Sequence, residues 1–120
     1  MKFLVVDDET LIRKSLCRAL SGLGHQCIEA ENGFQALEIL AQHEFDGIVL
    51  DLIMPVKSGY DVISEHQAAT PIFIISAFSG PELSAEYLKS DQRIRGFIKK
   101  PFDNLFDTVK LMLQQFEGPK

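Results

Sequence analysis

Carboxylate, hydroxyl and ammonium side chains follow several short apolar runs in this sequence. They are Asp7, Asp8, Asp51, Ser76 and the lysines 99 and 100. Three neighbouring carboxylates would repel one another unless a divalent cation joined them, and an all-oxygen site with few protein ligands suits Mg²⁺. A lysine and a hydroxyl nearby would stabilise the oxygens of a phosphoryl group in transfer. An aspartate can itself attack phosphorus, so the set predicts an aspartyl-phosphate site.

Asp51 has the clearest local context of these residues. Residues 48–50 form an unalternated apolar run before it, which is typical of a strand buried on both faces of a parallel sheet. Pro55 cannot donate to a strand ladder and biases Met54 toward an extended conformation, so the strand ends near Asp51 and a loop follows. Ligands of open α/β sheets bind just beyond such strand ends. The alternative for an isolated aspartate here is a turn cap.

Apolar strands alternate with amphipathic helices along the chain, which predicts an α/β fold. Strands are predicted over 3–6, 27–30, 48–50, 71–76 and 96–98, and helices over 11–23, 34–43, 60–69, 81–88 and 105–116. The spacing of the first helix places Arg13, Lys14 and Arg18 on its polar face. The expected architecture is a doubly wound, five-stranded parallel sheet of order 2-1-3-4-5 with five helices on its two faces. Strands one, three, four and five then deliver the acids, the hydroxyl and the lysine to one rim.

Composition excludes several classes of function. A chain of 120 residues is expected to be one domain, residues 1–120, and its net charge of −5 argues against a nucleic-acid or anionic-membrane surface. No apolar run approaches a membrane span, and residues 1–7 reach an acid too soon for a signal peptide, so we expect a cytoplasmic protein. Cys17 and Cys27 have no CxxC spacing and are predicted to be reduced core thiols. The three histidines share no metal-ligand spacing.

Five short motifs, in order and each at a predicted strand end or helix start, resemble one protein family. They are Val5-Val6-Asp7-Asp8-Glu9, Asn32-Gly33 with Ala36-Leu37, Asp51-Leu52-Ile53-Met54-Pro55 with Gly59, Ile75-Ser76-Ala77, and Lys100-Pro101-Phe102. Each is weak alone, but the set is highly specific. The chain resembles a bacterial two-component response-regulator receiver domain over essentially its whole length, which implies a CheY-like, flavodoxin-like fold.

The resemblance also implies a role for each acid of the rim. Asp51 would be the phosphoacceptor. Asp8, Asp51 and the backbone carbonyl of Ile53 would hold Mg²⁺, with Asp7 helping through water.

The remaining motif residues would contact the phosphoryl group and respond to it. Lys100 would bind the group, with Ser76 as the switch hydroxyl beside Ala77, and a new charge on Asp51 would pull the loop after strand four inward. Phe97 takes the place of the family's switch aromatic, usually a tyrosine; a plain core aromatic is the alternative. The Lys100-Pro101 peptide bond is expected to be cis, as is usual in the family.

The resemblance implies partners as well. The phosphoryl donor would be a sensor histidine kinase or a histidine phosphotransfer protein, and the receiver of the signal a downstream protein or an output domain missing from this chain. A phosphorylation-dependent homodimer through the last helix is a further possibility. The chain would catalyse only its own phosphorylation and dephosphorylation, so it is not expected to be an enzyme acting on an outside substrate.

The sequence departs from the family in the region of the output face. That face would comprise the helix predicted over 81–88, the fifth strand and the last helix, and residues 90–96 replace a small-residue pair common in receivers. Ile53 and Phe78 take the two positions that tune hydrolysis of the acyl phosphate. Neither side chain can orient a water, which predicts a long-lived phosphorylated state.

Three other functions fit the sequence less well. A constitutive protein-binding module of the same fold would be expected to have lost part of the set Asp8, Asp51, Ser76 and Lys100. A Mg²⁺-dependent phosphohydrolase would want a second acid where Ile53 stands. A flavin binder would want a phosphate-binding loop after strand one, where three acids would repel phosphate.

Overall fold

Helices and strands alternate along the chain as the hydrophobic pattern predicts. The structure, a computed structural model, describes residues 1–77, 91–100, 102 and 104–117. The elements are β1 (Lys2–Val6), α1 (Thr10–Gly22), β2 (Gln26–Ala30), α2 (Gly33–Gln42), β3 (Gly47–Asp51), α3 (Gly59–Glu65), β4 (Ile72–Ser76), β5 (Ile94–Lys99) and α4 (Leu105–Glu117). Four of the five predicted helices lie in this described part of the chain. The helix predicted over 81–88 lies outside it.

The five strands form one parallel sheet in the order β2-β1-β3-β4-β5, which confirms the predicted topology. Every residue of β3 and β4 is buried, as their continuous apolar runs require. The edge strand β5 bulges where it pairs with β4, and Gly96 stands opposite Phe73 there. A Cβ at Gly96 would lie 2.6 Å from the Phe73 ring, so glycine allows the two strands to approach.

Alternate strand residues point to opposite faces of the sheet and build two cores. One core joins Leu4, Val6, Ile48, Leu50, Ile72 and Ile74 to α2 and α3. The other joins Phe3, Val5, Val49, Phe73 and Ile75 to α1 and α4. The helices therefore cover both faces, which is the doubly wound arrangement.

Strand register decides which side chains meet at the carboxyl-end rim of the sheet. Val6 is paired with Leu50, so Asp7 and Asp51 come at the same level on neighbouring strands. Ser76 is paired with Lys99, which places Lys100 immediately beyond the end of β4. The opposite rim, at the amino ends of the strands, receives the three histidines, because His25, His43 and His66 each follow a helix and precede β2, β3 or β4.

The prediction of two reduced cysteine thiols is wrong for this structure, in which Cys17 of α1 and Cys27 of β2 form a disulfide. Their Cα atoms are 5.6 Å apart, within the usual span of such bridges. The sequence spacing could not show this because it places Cys17 on the buried face of α1 without telling which strand residue its side chain meets. No helix among the described residues has both the length and the apolar content that crossing a bilayer requires.

Candidate metal centre

Three carboxylates converge at the carboxyl-end rim. Asp7, Asp8 and Asp51 each offer an oxygen, and these oxygens all lie within 4.8 Å of one another. Asp7 and Asp51 are buried at the adjacent ends of β1 and β3, whereas Asp8 is exposed. Carboxylate oxygens at this separation, open to solvent on one side, suit a hard divalent cation that keeps part of its water shell.

Lys100 supplies the positive charge of the site. Its Nζ lies 2.7 Å from Asp7 Oδ2 and 3.2 Å from Asp51 Oδ2. Its backbone N–H donates to the Ser76 carbonyl over 2.8 Å and extends the β4–β5 ladder, which fixes the lysine at the rim. Burial lowers the Lys100 pKa, but the hydrogen bond to Asp7 and the charge of Asp51 outweigh it and raise the pKa above its ordinary value. Lys99, by contrast, is exposed.

One lysine does not compensate the buried acids fully. Burial raises the pKa of Asp51 to about 7; the charge of Asp7 adds to this rise, and Lys100 and the Ile53 N–H oppose it. Burial also raises the pKa of Asp7, despite its hydrogen bond from Lys100. A divalent cation would supply the positive charge that these buried oxygens lack. The donor set therefore fits Mg²⁺.

The loop after β3 is shaped tightly around Asp51. The Ile53 N–H donates to Asp51 Oδ1 over 3.3 Å, which keeps Ile53 beside the carboxylate. Gly59 is required where the loop closes, because a Cβ there would lie 2.3 Å from the Asp51 carbonyl oxygen. Val56 has a φ of 71°, a left-handed conformation that costs an ordinary residue about 1–2 kcal/mol. Such strain is typical of loops held in place for function.

The other predicted site residues lie on the neighbouring strands. Ser76 is fully buried at the end of β4, and Ala77 follows it in an exposed position. Phe97 of β5 is half-buried and packs against the core on the α2 and α3 side. Pro101 and Phe78 lie outside the described residues, and with them the expected cis bond and one of the two hydrolysis-tuning positions.

Glu9 belongs to the site although the sequence pattern assigns it no role. Its Oε1 lies 3.2 Å from Lys100 Nζ, so the ammonium contacts three carboxylates. Glu9 is also the N-cap of α1, yet its side chain makes no capping hydrogen bond. Its carboxylate pairs with Lys100 rather than with the first turn of the helix.

Arg13 is predicted on the polar face of α1, away from the core, and this prediction is wrong. Arg13 is only 8% exposed; its Nη1 donates to the Asp7 carbonyl and its Nε to Glu29 of β2. Arg13 lies three, four and seven residues before the buried Leu16, Cys17 and Leu20, so it shares their helix face, and the prediction followed its charge rather than its spacing. A further signal was Glu29, an acid within a short, otherwise apolar predicted strand.

Comparison with known proteins agrees with this fold and arrangement. A sequence model of the response regulator receiver domain matches residues 3–110. The chemotaxis response regulator CheY4 of Vibrio cholerae is 29% identical, with 96% of this chain and 97% of that chain covered and a TM-score of 0.81. The response regulator TrrA from Thermotoga maritima, solved in complex with Mg²⁺-BeF, is 30% identical, with 96% and 97% covered and a TM-score of 0.74.

Curated relatives are longer than this chain. The response regulator MprA of Mycobacterium sp. (strain KMS) is 30% identical over 99% of this chain but only 54% of its own length. The chain thus spans about half the length of the first curated relatives it matches. With the family match over most of its length, the predicted sheet order and the acids at the rim, this chain belongs to the response regulator receiver domain family.

Proposed function

We propose that residues 1–120 form a single receiver domain that accepts a phosphoryl group on Asp51 in a Mg²⁺-dependent reaction. The donor is a sensor histidine kinase or a histidine phosphotransfer protein in the cytoplasm. Family membership supports a role in two-component signal transduction. The observation that carries the proposal is the buried Asp51 carboxylate, which lies 3.2 Å from Lys100 Nζ and shares a cation-sized oxygen cluster with Asp7 and Asp8.

The chemistry follows from these positions. An Asp51 carboxylate oxygen attacks the phosphorus of a phosphohistidine; the new O–P bond forms as the N–P bond breaks, and the leaving imidazole takes up a proton. Mg²⁺, held by Asp8, Asp51 and the Ile53 carbonyl with Asp7 acting through water, would neutralise the phosphoryl oxygens during transfer. The similarity to TrrA, which was solved in complex with Mg²⁺-BeF, supports this class of ligand.

Lys100 and Ser76 respond to the charge that the phosphoryl group adds to Asp51. In the unphosphorylated site Lys100 is shared among Asp7, Glu9 and Asp51. A phosphoryl group on Asp51 gives it a more strongly charged partner, while the Ser76 hydroxyl and the Ala77 segment move toward the same oxygens. Phe97 then turns further inward, and the face that includes β5 and α4 changes its affinity for a protein target, an output domain or a second copy of the chain.

The test is intact-protein mass after incubation with acetyl phosphate, with and without Mg²⁺. Wild type is expected to gain one phosphoryl group only when Mg²⁺ is present, and Asp51→Asn none. Asp107→Asn, which changes an exposed acid of α4, is the matched control and should behave as wild type. If wild type gains no adduct under any condition, the chain is a binding module of the same fold that works without phosphorylation.

The lifetime of the phosphorylated state is a second measurable part of the proposal. Ile53 is half-exposed beside Asp51 and has no group that could orient an attacking water. We expect the adduct to persist for minutes or longer when excess acetyl phosphate is removed, as followed by mass. Loss within seconds would contradict the expectation.

A further inference from the structure

Arg13 is a buried cation with partners on two different elements. Its Nη1 donates to the Asp7 carbonyl oxygen over 2.8 Å, and its Nε donates to Glu29 Oε1 over 2.9 Å. A guanidinium in such a position is costly to bury unless it is paired and hydrogen-bonded. The pairing with Glu29 meets that requirement. The second hydrogen bond, to the Asp7 carbonyl at the acidic rim, is not needed to compensate the charge. It affects the geometry of the rim instead.

The carbonyl that Arg13 binds belongs to the peptide unit joining Asp7 to Asp8. On the other side of Asp7, its backbone N–H donates to the Ala30 carbonyl of β2 over 3.1 Å. The Asp7 side chain accepts from the Glu9 N–H over 2.8 Å and contacts Lys100. The direction of both carboxylates depends on how this peptide unit is rotated. Among these contacts, Arg13 is the one that holds its oxygen.

We infer that Arg13 is a positioning residue of the acidic site, which fixes the Asp7–Asp8 peptide and so sets where both carboxylates meet the cation. The inference rests on the proposed function of that site. Glu29 of β2 holds the Arg13 guanidinium in place. Its hydrogen bonds from Arg13 and Lys14 outweigh partial burial and keep its pKa below the ordinary value, so it stays charged. Partners that orient metal ligands typically contribute about 10–100-fold to metal affinity.

The matched pair of variants is Arg13→Met and Lys14→Met. Lys14 binds the other oxygen of Glu29 over 3.1 Å, but its side chain is 60% exposed and it does not contact Asp7 in the described structure. Mg²⁺ binding is measured by calorimetric titration, well below each variant's unfolding temperature. We expect Arg13→Met to weaken binding about 10-fold or more and Lys14→Met less than about 2-fold. Equal Mg²⁺ affinity for folded Arg13→Met and wild type would overturn the inference.

A second readout separates positioning from a general loss of stability. The rate of Asp51 phosphorylation by acetyl phosphate in Arg13→Met should fall at low Mg²⁺ and recover as Mg²⁺ approaches saturation. A purely structural role predicts a deficit that does not depend on Mg²⁺, and finding one would contradict the inference. If Arg13→Met does not fold, Arg13→Lys and Glu29→Gln carry the same test, since each keeps a polar group in place but disturbs the hydrogen bonds.

Wild type decides between two kinds of failure. If wild type neither binds Mg²⁺ nor gains a phosphoryl group, the proposed function of the site fails and takes this inference with it. If wild type does both and the Arg13 variants bind Mg²⁺ equally well, only the positioning role is refuted.

Discussion

Asp51 is the residue at which folding and function are most directly opposed. Its carboxylate is 2% exposed, and burial raises its pKa from 3.8 to about 7. A carboxyl with a raised pKa holds its proton more tightly in the folded state. Its contribution to stability is therefore present below about pH 4 and is lost as the pH rises toward 7. Ionisation, which the proposed nucleophilic attack and metal binding both require, works against the fold.

We predict that Asp51→Asn stabilises the metal-free domain at pH 8, by on the order of 2 kcal/mol, because it removes a charge that burial disfavours. The advantage over wild type should shrink as the pH falls to 5, where wild-type Asp51 is protonated. The measurement is urea unfolding with chelator at several pH values, with Asp107→Asn as control. A difference that does not change with pH, or a less stable variant, would contradict the prediction.

At the residue scale, the sequence predicted the acids better than the groups that hold them. Asp8, Asp51 and Lys100 could be found because each follows an apolar strand, and parallel strand ends meet at one rim. Arg13 is missed when its charge is taken as a sign of exposure, although its spacing from Leu16, Cys17 and Leu20 places it on the buried face of α1. Periodicity locates a Cα on a helix face, but it does not tell which groups pair with a charge buried there.

Arg93 connects the end of α3 and the loop after it to the start of β5. It lies in the segment where the sequence departs from other receivers. Its guanidinium donates to the carbonyls of Ile63 and Ala68, at 2.6 and 3.1 Å, and to that of His66. It also pairs with Asp91 at 2.7 Å, and this bond keeps the Asp91 pKa below its ordinary value. One side chain thus satisfies carbonyls left over at the end of α3 and ties the following loop to β5.

We predict that Arg93→Ala lowers the free energy of unfolding by about 2–3 kcal/mol, because several backbone carbonyls lose a charged donor. Arg95→Ala is the control: Arg95 lies two residues further along and is exposed, so its loss should cost less than about 0.5 kcal/mol. Both values come from urea unfolding at pH 7. Equal effects of the two substitutions would show that the Arg93 contacts contribute little.

The disulfide is an element-scale feature, since it connects α1 to β2 across ten residues of chain. We predict that dithiothreitol lowers the unfolding free energy of wild type by about 2–3 kcal/mol, as expected for opening a loop of this length. The Cys17→Ser/Cys27→Ser variant should not respond to the reductant. Thiol alkylation of the unfolded protein without reductant provides a direct check, and two free thiols would contradict the prediction.

At the scale of the whole molecule, the sheet order could be predicted because the strands, helices and connections that the sequence indicates agreed with one another. The apolar strands, the amphipathic helices and the right-handed crossovers allow few arrangements besides the observed order. The cysteine pair escaped prediction because it depends on the contact between α1 and β2 rather than on the pattern within either. The helix over 81–88 had the weakest pattern and remains a prediction.

Mg²⁺ should stabilise the whole domain, because the unfolded chain cannot hold Asp7, Asp8 and Asp51 together. We predict that Mg²⁺ at about 100 times its dissociation constant raises the unfolding free energy by about 2.7 kcal/mol. Asp8→Ala should abolish most of this gain, whereas Asp107→Asn should retain it. Thermal unfolding with Mg²⁺ and with chelator measures the effect. An equal gain in wild type and Asp8→Ala would place the ion elsewhere.

The separation of the two rims bears on where the phosphoryl group originates. His25, His43 and His66 are all the histidines of the chain, and they lie at the amino ends of the strands, separated from the Asp51 rim by roughly 15 Å of strand. None of them can hand a phosphoryl group directly to that carboxylate. In the proposed reaction the donating imidazole therefore lies on another domain or molecule, and transfer is an encounter whose rate scales with the local concentration of the donor. Tethering or co-localising the donor would then accelerate signalling without any change in the chemistry at Asp51.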